Sequence, residues 1–481
     1  MKLTKTDFIQ YLNCPKSLWW LKHDPDSYPH GEFSVFMQKL TREGYEVERY
    51  VRQFFENDDA RAVNFQTVFE TEDGLFARAD VLERAGDGET ILYEIKSSTS
   101  VKTDAAHNHI KDACFQKICA ERAGQKIDRV YLVHLNGKYV RDGEIDPAEL
   151  LEFADITDQV GDISGATEVE IDEALKLLQE TKIDKNGCSC LRKSPANHCD
   201  TFKLFNPGIP VPSIYSLPRL SQKKRDELIT NGIYDLPGVP DDYPLSANQE
   251  LVLRAAKAGA AQIRLAEIQA FLDAVQFPLY FFDFETYGSA VPLVDRSSPH
   301  KQFPVQYSLH IMAADGTLTH TEFLEREARL PDRLIDQMKT DIGSDGSIGS
   351  DGSIVSWHAS FEKMQNREMG MWFPDEAAFL NDLNERMVDL EDVFKTAYVD
   401  ARFDGSTSIK KVLPVICPEL SYKDLDVQDG SSAMEAWERL VEAEASEADQ
   451  ISSELLSYCE LDTFAMVEIY RFLTKLCQSE A

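Results

Sequence analysis

Two short stretches place acidic side chains where a solvated surface does not account for them. Tyr280-Phe-Phe-Asp283-Phe-Glu285-Thr-Tyr is an apolar run interrupted by two carboxylates two residues apart. In a strand, residues i and i+2 leave the same face, so Asp283 and Glu285 project together. Burying acids in such a strand costs several kcal/mol unless a cation or hydrogen bonds compensate, and a divalent metal site is the direct compensation. Much later, Leu455-Leu-Ser-Tyr458-Cys-Glu-Leu-Asp462 lies in an amphipathic helix, where Tyr458 and Asp462, four apart, share a face. The second stretch is Ile91-Leu-Tyr-Glu94-Ile-Lys96, preceded by the strand-like Gly74-Leu-Phe-Ala-Arg-Ala-Asp80-Val-Leu-Glu. Asp80 and Glu94 supply hard oxygen ligands suited to Mg²⁺. Lys96, on the face of Glu94, can orient water and stabilise developing negative charge. By itself Glu-x-Lys reads as a solvated strand face.

A third constellation is soft. Cys188, Cys190 and Cys199 form Cys-x-Cys-x8-Cys, a spacing that in a reducing compartment points to metal binding rather than disulfides. Thiolate sites for iron–sulfur clusters and structural zinc use four ligands. Cys14, in Asn13-Cys-Pro-Lys, is the candidate fourth ligand, and His198 is the competing one, which favours zinc. Cys114, Cys119, Cys417, Cys459 and Cys477 read as buried, unliganded thiols.

These residues need elements to position them. The chain has 481 residues, 43% of them hydrophobic and 28% charged, an ordinary globular composition too long for one core. Three regions are expected: 1–205, ending in the cysteine cluster; 206–275, a helical connector; and 276–481, opening on the apolar strand. The repeat Gly343-Ser-Asp-Gly-Ser-Ile-Gly-Ser-Asp-Gly-Ser-Ile354 reads as a surface loop. There is no run of about 18 apolar residues and no apolar segment near Met1, so a soluble cytoplasmic protein without membrane attachment is expected. The net charge of −33 opposes generalised binding to nucleic acid, so any such binding must use a local Lys/Arg groove or metal ions.

In order along the chain come a helix containing Glu43-Gly-Tyr-Glu-Val-Glu48, then Asp80, Glu94-Ile-Lys96, and a helix containing Asp112-Ala-Cys-Phe-Gln116. This order resembles the PD-(D/E)XK nucleases of the RecB type. With Cys14 in front and three cysteines behind, it resembles their iron–sulfur members, whose 4Fe–4S cluster staples the two ends of the domain. The resemblance covers roughly residues 5–205. It implies metal binding by Asp80 and Glu94, catalytic assistance by Lys96 and positioning by Gln116. Glu48 stands where many relatives have a metal-binding histidine.

In the C-terminal region, Asp283-x-Glu285 followed by Tyr458-x3-Asp462 resembles the DEDDy exonucleases of the DnaQ-like, RNase H fold. That family implies two Mg²⁺ or Mn²⁺ ions held by four carboxylates, with Tyr458 orienting the attacking water. The family's Asn-x-x-Phe-Asp motif reads here as His358-Ala-Ser-Phe361-Glu362, which makes Glu362 the fourth carboxylate and Asp389 the alternative. Together with Gly405-Ser-Thr-Ser-Ile-Lys-Lys-Val-Leu-Pro, the whole resembles a bacterial family joining a RecB-like domain to a DnaQ-like domain.

The fold class implied is therefore multidomain α/β: a restriction-endonuclease-like domain, a helical connector and an RNase H-like domain. The connector's Arg225-Asp-Glu-Leu-Ile-Thr-Asn-Gly-Ile resembles a degenerate helix–hairpin–helix, and a plain connector fits equally. Lys410 and Lys411, near a helix start, are phosphate-contact candidates or a solvated pair. The activity implied is metal-dependent phosphodiester hydrolysis, 3′–5′ exonucleolytic in the C-terminal domain. DNA with single-stranded or free ends is the first substrate and RNA the second. The competing reading is a nucleic-acid-binding scaffold whose centres have decayed, signalled by Glu48 and Glu362.

Overall fold

A computed structural model of the chain describes residues 1–30, 35–58, 61–104, 107–343, 352–423 and 425–479. Residues 344–351 of the serine–glycine repeat, expected to form a surface loop, lie outside the described residues. The protein is a mixed α/β molecule that divides into two compact units. The first is Met1–Gly208 with Ser289–His300, and the second is Ile209–Gly288 with Lys301–Ala481. Of the connector expected at 206–275, all but its first three residues fall in the second unit. One reason is local pairing: Gln262–Ile263 forms a two-residue antiparallel ladder with Tyr398–Val399.

The first unit is built on a five-stranded sheet of β1 (Ala62–Glu70), β2 (Phe76–Arg84), β3 (Thr90–Ile95), β4 (Arg129–Leu135) and β5 (Leu151–Asp155), in that spatial order. Only β3 and β4 are parallel, and their crossover carries α4 (His109–Arg122). Side chains alternate across β3. Ile91 and Tyr93 pack with Val47, Val51 and Phe55 of α3 (Val35–Glu56). Leu92 faces the opposite core with Phe8, Leu18, Phe115 and Ile171, supplied by α1 (Lys5–Asn13), α2 (Pro15–His23), α4 and α5 (Thr157–Gln179). A strand buried on both faces has no solvated side, so Glu94 at its end is completely buried. Thr4 caps α1 through a reciprocal box with Asp7, and Pro15 starts α2 immediately after Cys14.

The second unit opens with α6 (Gln222–Thr230), α7 (Ala247–Ala258) and α8 (Leu265–Ala274). Its sheet runs β10 (Met387–Asp389), β9 (Ile354–Ser356), β6 (Leu279–Tyr287), β7 (Phe303–Met312), β8 (Leu318–Leu324). The β6–β7–β8 meander is antiparallel, while β9 and β10 run parallel to β6. Even-numbered residues of β6 (Tyr280, Phe282, Phe284) pack with α9 (Asp332–Ile342), α10 (Ser360–Trp372) and α11 (Ala377–Arg386). Odd-numbered residues meet α14 (Ala445–Ser479), which lies across β6 and β7, as in the contact of Phe281 with Tyr470. The strand period alone therefore directs Asp283 and Glu285 under α14. Between them in sequence, α12 (Ile409–Ile416) and α13 (Gly430–Glu442) complete the unit. Among the described residues, no helix is long and apolar enough to cross a membrane.

Candidate metal centres

The side chains singled out in the sequence assemble in three groups among the described residues. In the second unit, one donor oxygen from each of Asp283, Glu285 and Asp462 lies within 4.8 Å of the others. Together with Glu362, Tyr458 and Lys410 they line a cavity of about 200 Å³. Glu285, Glu362 and Asp462 are buried and Asp283 is partly so. Burial, reinforced by the neighbouring acids, pushes the carboxyls of Asp283 and Glu285 well above their usual range. Burial lifts Asp462 to about 6 and Glu362 to about 8. Glu362 Oε2 is buried with no hydrogen-bond partner among the described residues. Four acids sharing one cavity, one with an orphaned oxygen, fit a divalent-cation site by their donor chemistry.

The polar groups around this cluster are ordered. Tyr458 Oη accepts from Lys410 Nζ at 3.1 Å, and burial and then Asp462 keep its phenol protonated. Lys410 therefore turns inward, whereas Lys411 is exposed. Asp389, the alternative fourth acid, spends Oδ1 on the N–H groups of His358 and Glu391, both at 3.0 Å, and is a backbone cap. Sequence reasoning missed Tyr422, which is buried and donates its hydroxyl to Asp462 Oδ1 at 2.7 Å. It comes from an irregular segment after α12, where no periodicity signals it.

In the first unit, Glu94 is the hub. It accepts from Lys5 Nζ at 2.6 Å, from Lys96 Nζ at 2.9 Å and from Gln116 Nε2. Burial alone would raise its pKa, but Lys5 and then Lys96 outweigh burial and hold it down to about 2. Asp80, which accepts the Ile95 N–H at 2.9 Å, is pushed the other way, to about 7, by burial and by Glu94. Lys96 also pairs with Asp112 at 2.5 Å. Glu48 is half-buried, takes a hydrogen bond from Gln66 at 3.2 Å and feels the charges of Arg78 and Glu94. Gln116 leaves Oε1 buried without a partner among the described residues, an acceptor open to a further donor. Asp80, Glu94, Lys96, Gln116 and Glu48 are thus gathered in one neighbourhood. Among the described residues, however, no three acids here converge within 4.8 Å as they do in the second unit. Lys5 was not foreseen, because α1 reaches Glu94 from 89 residues away.

The third group is the thiol cluster. One sulfur from each of Cys14, Cys188, Cys190 and Cys199 lies within 4.8 Å of the others, with Cys188 and Cys199 at 4.0 Å. Three are buried and Cys188 is partly exposed. His198, the competing ligand, instead stacks on Phe202 at 3.5 Å between centroids and places Nε2 3.2 Å from the Lys193 carbonyl. The set is therefore four cysteines, able to hold zinc or an iron–sulfur cluster, and it ties the start of α2 to the end of the first unit. The other five cysteines are free and buried.

The profile of a domain of unknown function (DUF2779) matches residues 280–408, the stretch from β6 to the residues before α12. The chain is similar to an uncharacterized protein of Mycoplasma pneumoniae, the MG366 homolog, at 33% identity over 212 residues, 40% of this chain and 32% of that protein. It is similar to the uncharacterized protein MG366 of Mycoplasma genitalium at 29% over 220 residues, 41% of this chain and 32% of that one. A third relative is the uncharacterized protein UU173 of Ureaplasma parvum, 28% identical over 221 residues, 41% of this chain and 31% of that one. The chain spans about a third of the length of the curated relatives it matches.

Proposed function

We propose that this protein is a metal-dependent nuclease whose main centre is the carboxylate cavity of the second unit. One observation carries the reading. Asp283, Glu285, Asp462 and Glu362 are gathered in a cavity of about 200 Å³, and among the described residues no side-chain donor stands on Asp283 or Glu285. Unpaired acids cost more than the fold gains from them, so the site is matched to Mg²⁺ or Mn²⁺. Bound there, the cations supply the Lewis acidity that phosphodiester hydrolysis requires. The protein's own groups do the rest. Tyr458, kept as a phenol and held by Lys410, orients the attacking water, while Lys410 offers positive charge to a phosphate. The strand order and the helix bearing Tyr458 and Asp462 support an RNase H-like, DEDDy-type assignment.

The first unit supports a second, RecB-like PD-(D/E)XK reading through Asp80, Glu94, Lys96 and Gln116 on β2, β3 and α4. Its cysteine cluster is read as 4Fe–4S, with zinc as the alternative. The substrate proposed is DNA with free single-stranded ends, or RNA, in a reducing cytoplasm.

The test uses the full chain purified with its cluster intact and end-labelled single-stranded DNA and RNA, with Mg²⁺ or Mn²⁺. Degradation is expected, with Asp283→Ala and Glu94→Ala each removing about 10²-fold or more of one separable activity. If wild type and both variants leave every substrate equally intact across metals, the catalytic reading fails. Retained binding would then favour the scaffold reading.

A further inference from the structure

The sheet face beneath α14 carries a second polar group besides the acidic cavity. His310 on β7 and His320 on β8 are direct cross-strand partners, with rings 4.4 Å apart and tilted by 31°. Glu460 on α14 completes the group: one donor atom from each of His310, His320 and Glu460 lies within 4.8 Å of the others. His310 is buried, while the side chains of His320 and Glu460 are 22% and 52% exposed.

The hydrogen bonds assign the protons. Thr463 Oγ1 lies 3.1 Å from the Glu460 carbonyl, which can only accept, so the Thr463 proton goes there. Thr463 must then accept in its other two contacts, from His310 Nδ1 at 2.8 Å and from Ser308 Oγ at 2.7 Å. With its own proton committed to Thr463, Ser308 accepts from His320 Nε2 at 2.9 Å. His310 is therefore protonated on Nδ1 and His320 on Nε2. Lone pairs are left on His310 Nε2 and His320 Nδ1, and Glu460 Oε1 stands 3.9 Å from the latter.

Each ring thus keeps a lone pair, and one donor atom from each imidazole meets the carboxylate within 4.8 Å, with no hydrogen-bond donor to Glu460 from either ring among the described residues. A proton on His320 would satisfy one contact and leave His310 Nε2 bare. A dication accepts from all three. Glu322 adds a further carboxyl, with Oε2 buried, lacking a hydrogen-bond partner among the described residues and 3.9 Å from His320 Nε2. Holding the outer nitrogen of each ligating imidazole with a neighbouring oxygen is how metal sites fix ring orientation and tautomer.

We infer that His310, His320 and Glu460 form a binding site for a zinc-class divalent cation, separate from the acidic cavity and oriented by Ser308 and Thr463. Two imidazoles and one carboxylate select Zn²⁺, Co²⁺ or Ni²⁺ over Mg²⁺, and the exposed side leaves a fourth position for water. Contraction to zinc–nitrogen distances of about 2.0–2.1 Å falls to the partly exposed His320 and Glu460. Because its ligands come from β7, β8 and α14, the ion would pin to the sheet the helix that carries Tyr458 and Asp462.

Co²⁺ titration of the full chain, with its thiolate cluster already loaded, tests this. One equivalent should appear with visible d–d absorption and no thiolate charge-transfer band. Glu460→Gln and His320→Gln should abolish that signal, Ser308→Ala should weaken binding about 10- to 100-fold, and Asp283→Asn should leave it intact. Glu460 is exposed, so a Glu460→Gln chain that melts with wild type when metal-free isolates the ligand effect from folding. Equal Co²⁺ binding by wild type and both ligand variants would overturn the assignment, as would the absence of this equivalent in wild type. Loss of the signal in Asp283→Asn alone would also overturn it, by assigning the ion to the acidic cavity.

Discussion

Replacing Asp283 by asparagine should stabilise the metal-free protein while abolishing its response to Mg²⁺. Two full charges 4.8 Å apart, the outer limit for Asp283, Glu285 and Asp462, repel by about 3.5 kcal/mol at an effective dielectric constant of about 20. Burial adds to this cost: the rise of Asp462 to about 6 corresponds to about 3 kcal/mol to ionise it fully. Near neutral pH the cluster relieves part of this by retaining protons, so a gain of about 1–3 kcal/mol is expected for the variant. For a unit of this size that is a rise of roughly 2–10 °C in melting temperature.

The pH dependence fixes the sign. A carboxyl whose pKa is raised on folding binds its proton more tightly in the folded state. Its contribution is most favourable below the unfolded value near pH 4, and it is lost as pH rises through about 6 for Asp462 and through the raised ranges of Asp283 and Glu285. The gap between variant and wild type should therefore be small at pH 5 and largest at pH 8. Thermal unfolding in metal-free buffer at both pH values, repeated with Mg²⁺, measures it. Wild type should rise with Mg²⁺ and Asp283→Asn should not. A variant that melts at or below wild type at pH 8 without metal, or that gains the same Mg²⁺ shift, would refute the argument that uncompensated charge defines this site.

Three further outcomes follow from the other groups. Cys188→Ser should lose the bound metal of the four-cysteine set, read by elemental analysis, and should raise the susceptibility of the α1–α2 segment to proteolysis, since Cys14 is one of its ties to residues 188–199 alongside the Lys193–Asn13 contacts. Lys5→Met removes one of two ammonium groups from fully buried Glu94, whose lowered pKa stabilises the fold above pH 4. Lys5 is itself 30% exposed, which discounts the pair, so a loss of about 2 kcal/mol at pH 7, fading as pH falls toward 3, is expected by urea unfolding. Tyr422→Phe deletes the hydroxyl that donates to Asp462, costing about 1.5–3 kcal/mol in the Mg²⁺-free protein. Isothermal titration should also show altered Mg²⁺ affinity, because Asp462 then has one fewer donor competing for its oxygen.

What was legible from sequence depended on whether local periodicity carried it. Asp283 and Glu285 stood out because an apolar strand gives an acid no solvated side, and Tyr458 and Asp462 because four residues make one helical turn. The cysteine spacing marked a site, but choosing Cys14 over His198 needed the geometry in which His198 stacks on Phe202. Lys5 and Tyr422 reach their carboxylates across 89 and 40 residues, distances that no period spans. The histidine pair went unread: His310 and His320 become partners only through the β7–β8 register set by the 314–316 loop, and the closing ligand comes from α14, 140 residues later.

The same comparison separates the two carboxylate centres physically. In the first unit the buried acid is neutralised from within: Lys5 and Lys96 both stand on Glu94, so its charge is satisfied with no ion present. In the second unit the only nearby cation is Lys410 among the described residues lining the cavity, a single charge that only partly offsets the acids while its ammonium donates to Tyr458. Four acids against one lysine leave a deficit that the fold itself cannot cover. Chelation should therefore destabilise the second unit and leave the Glu94 neighbourhood untouched, a difference that hydrogen exchange of β6 against β3 resolves directly. Equal loss of protection in both strands would mean that the lysines on Glu94 stand in for a cation rather than replace the need for one.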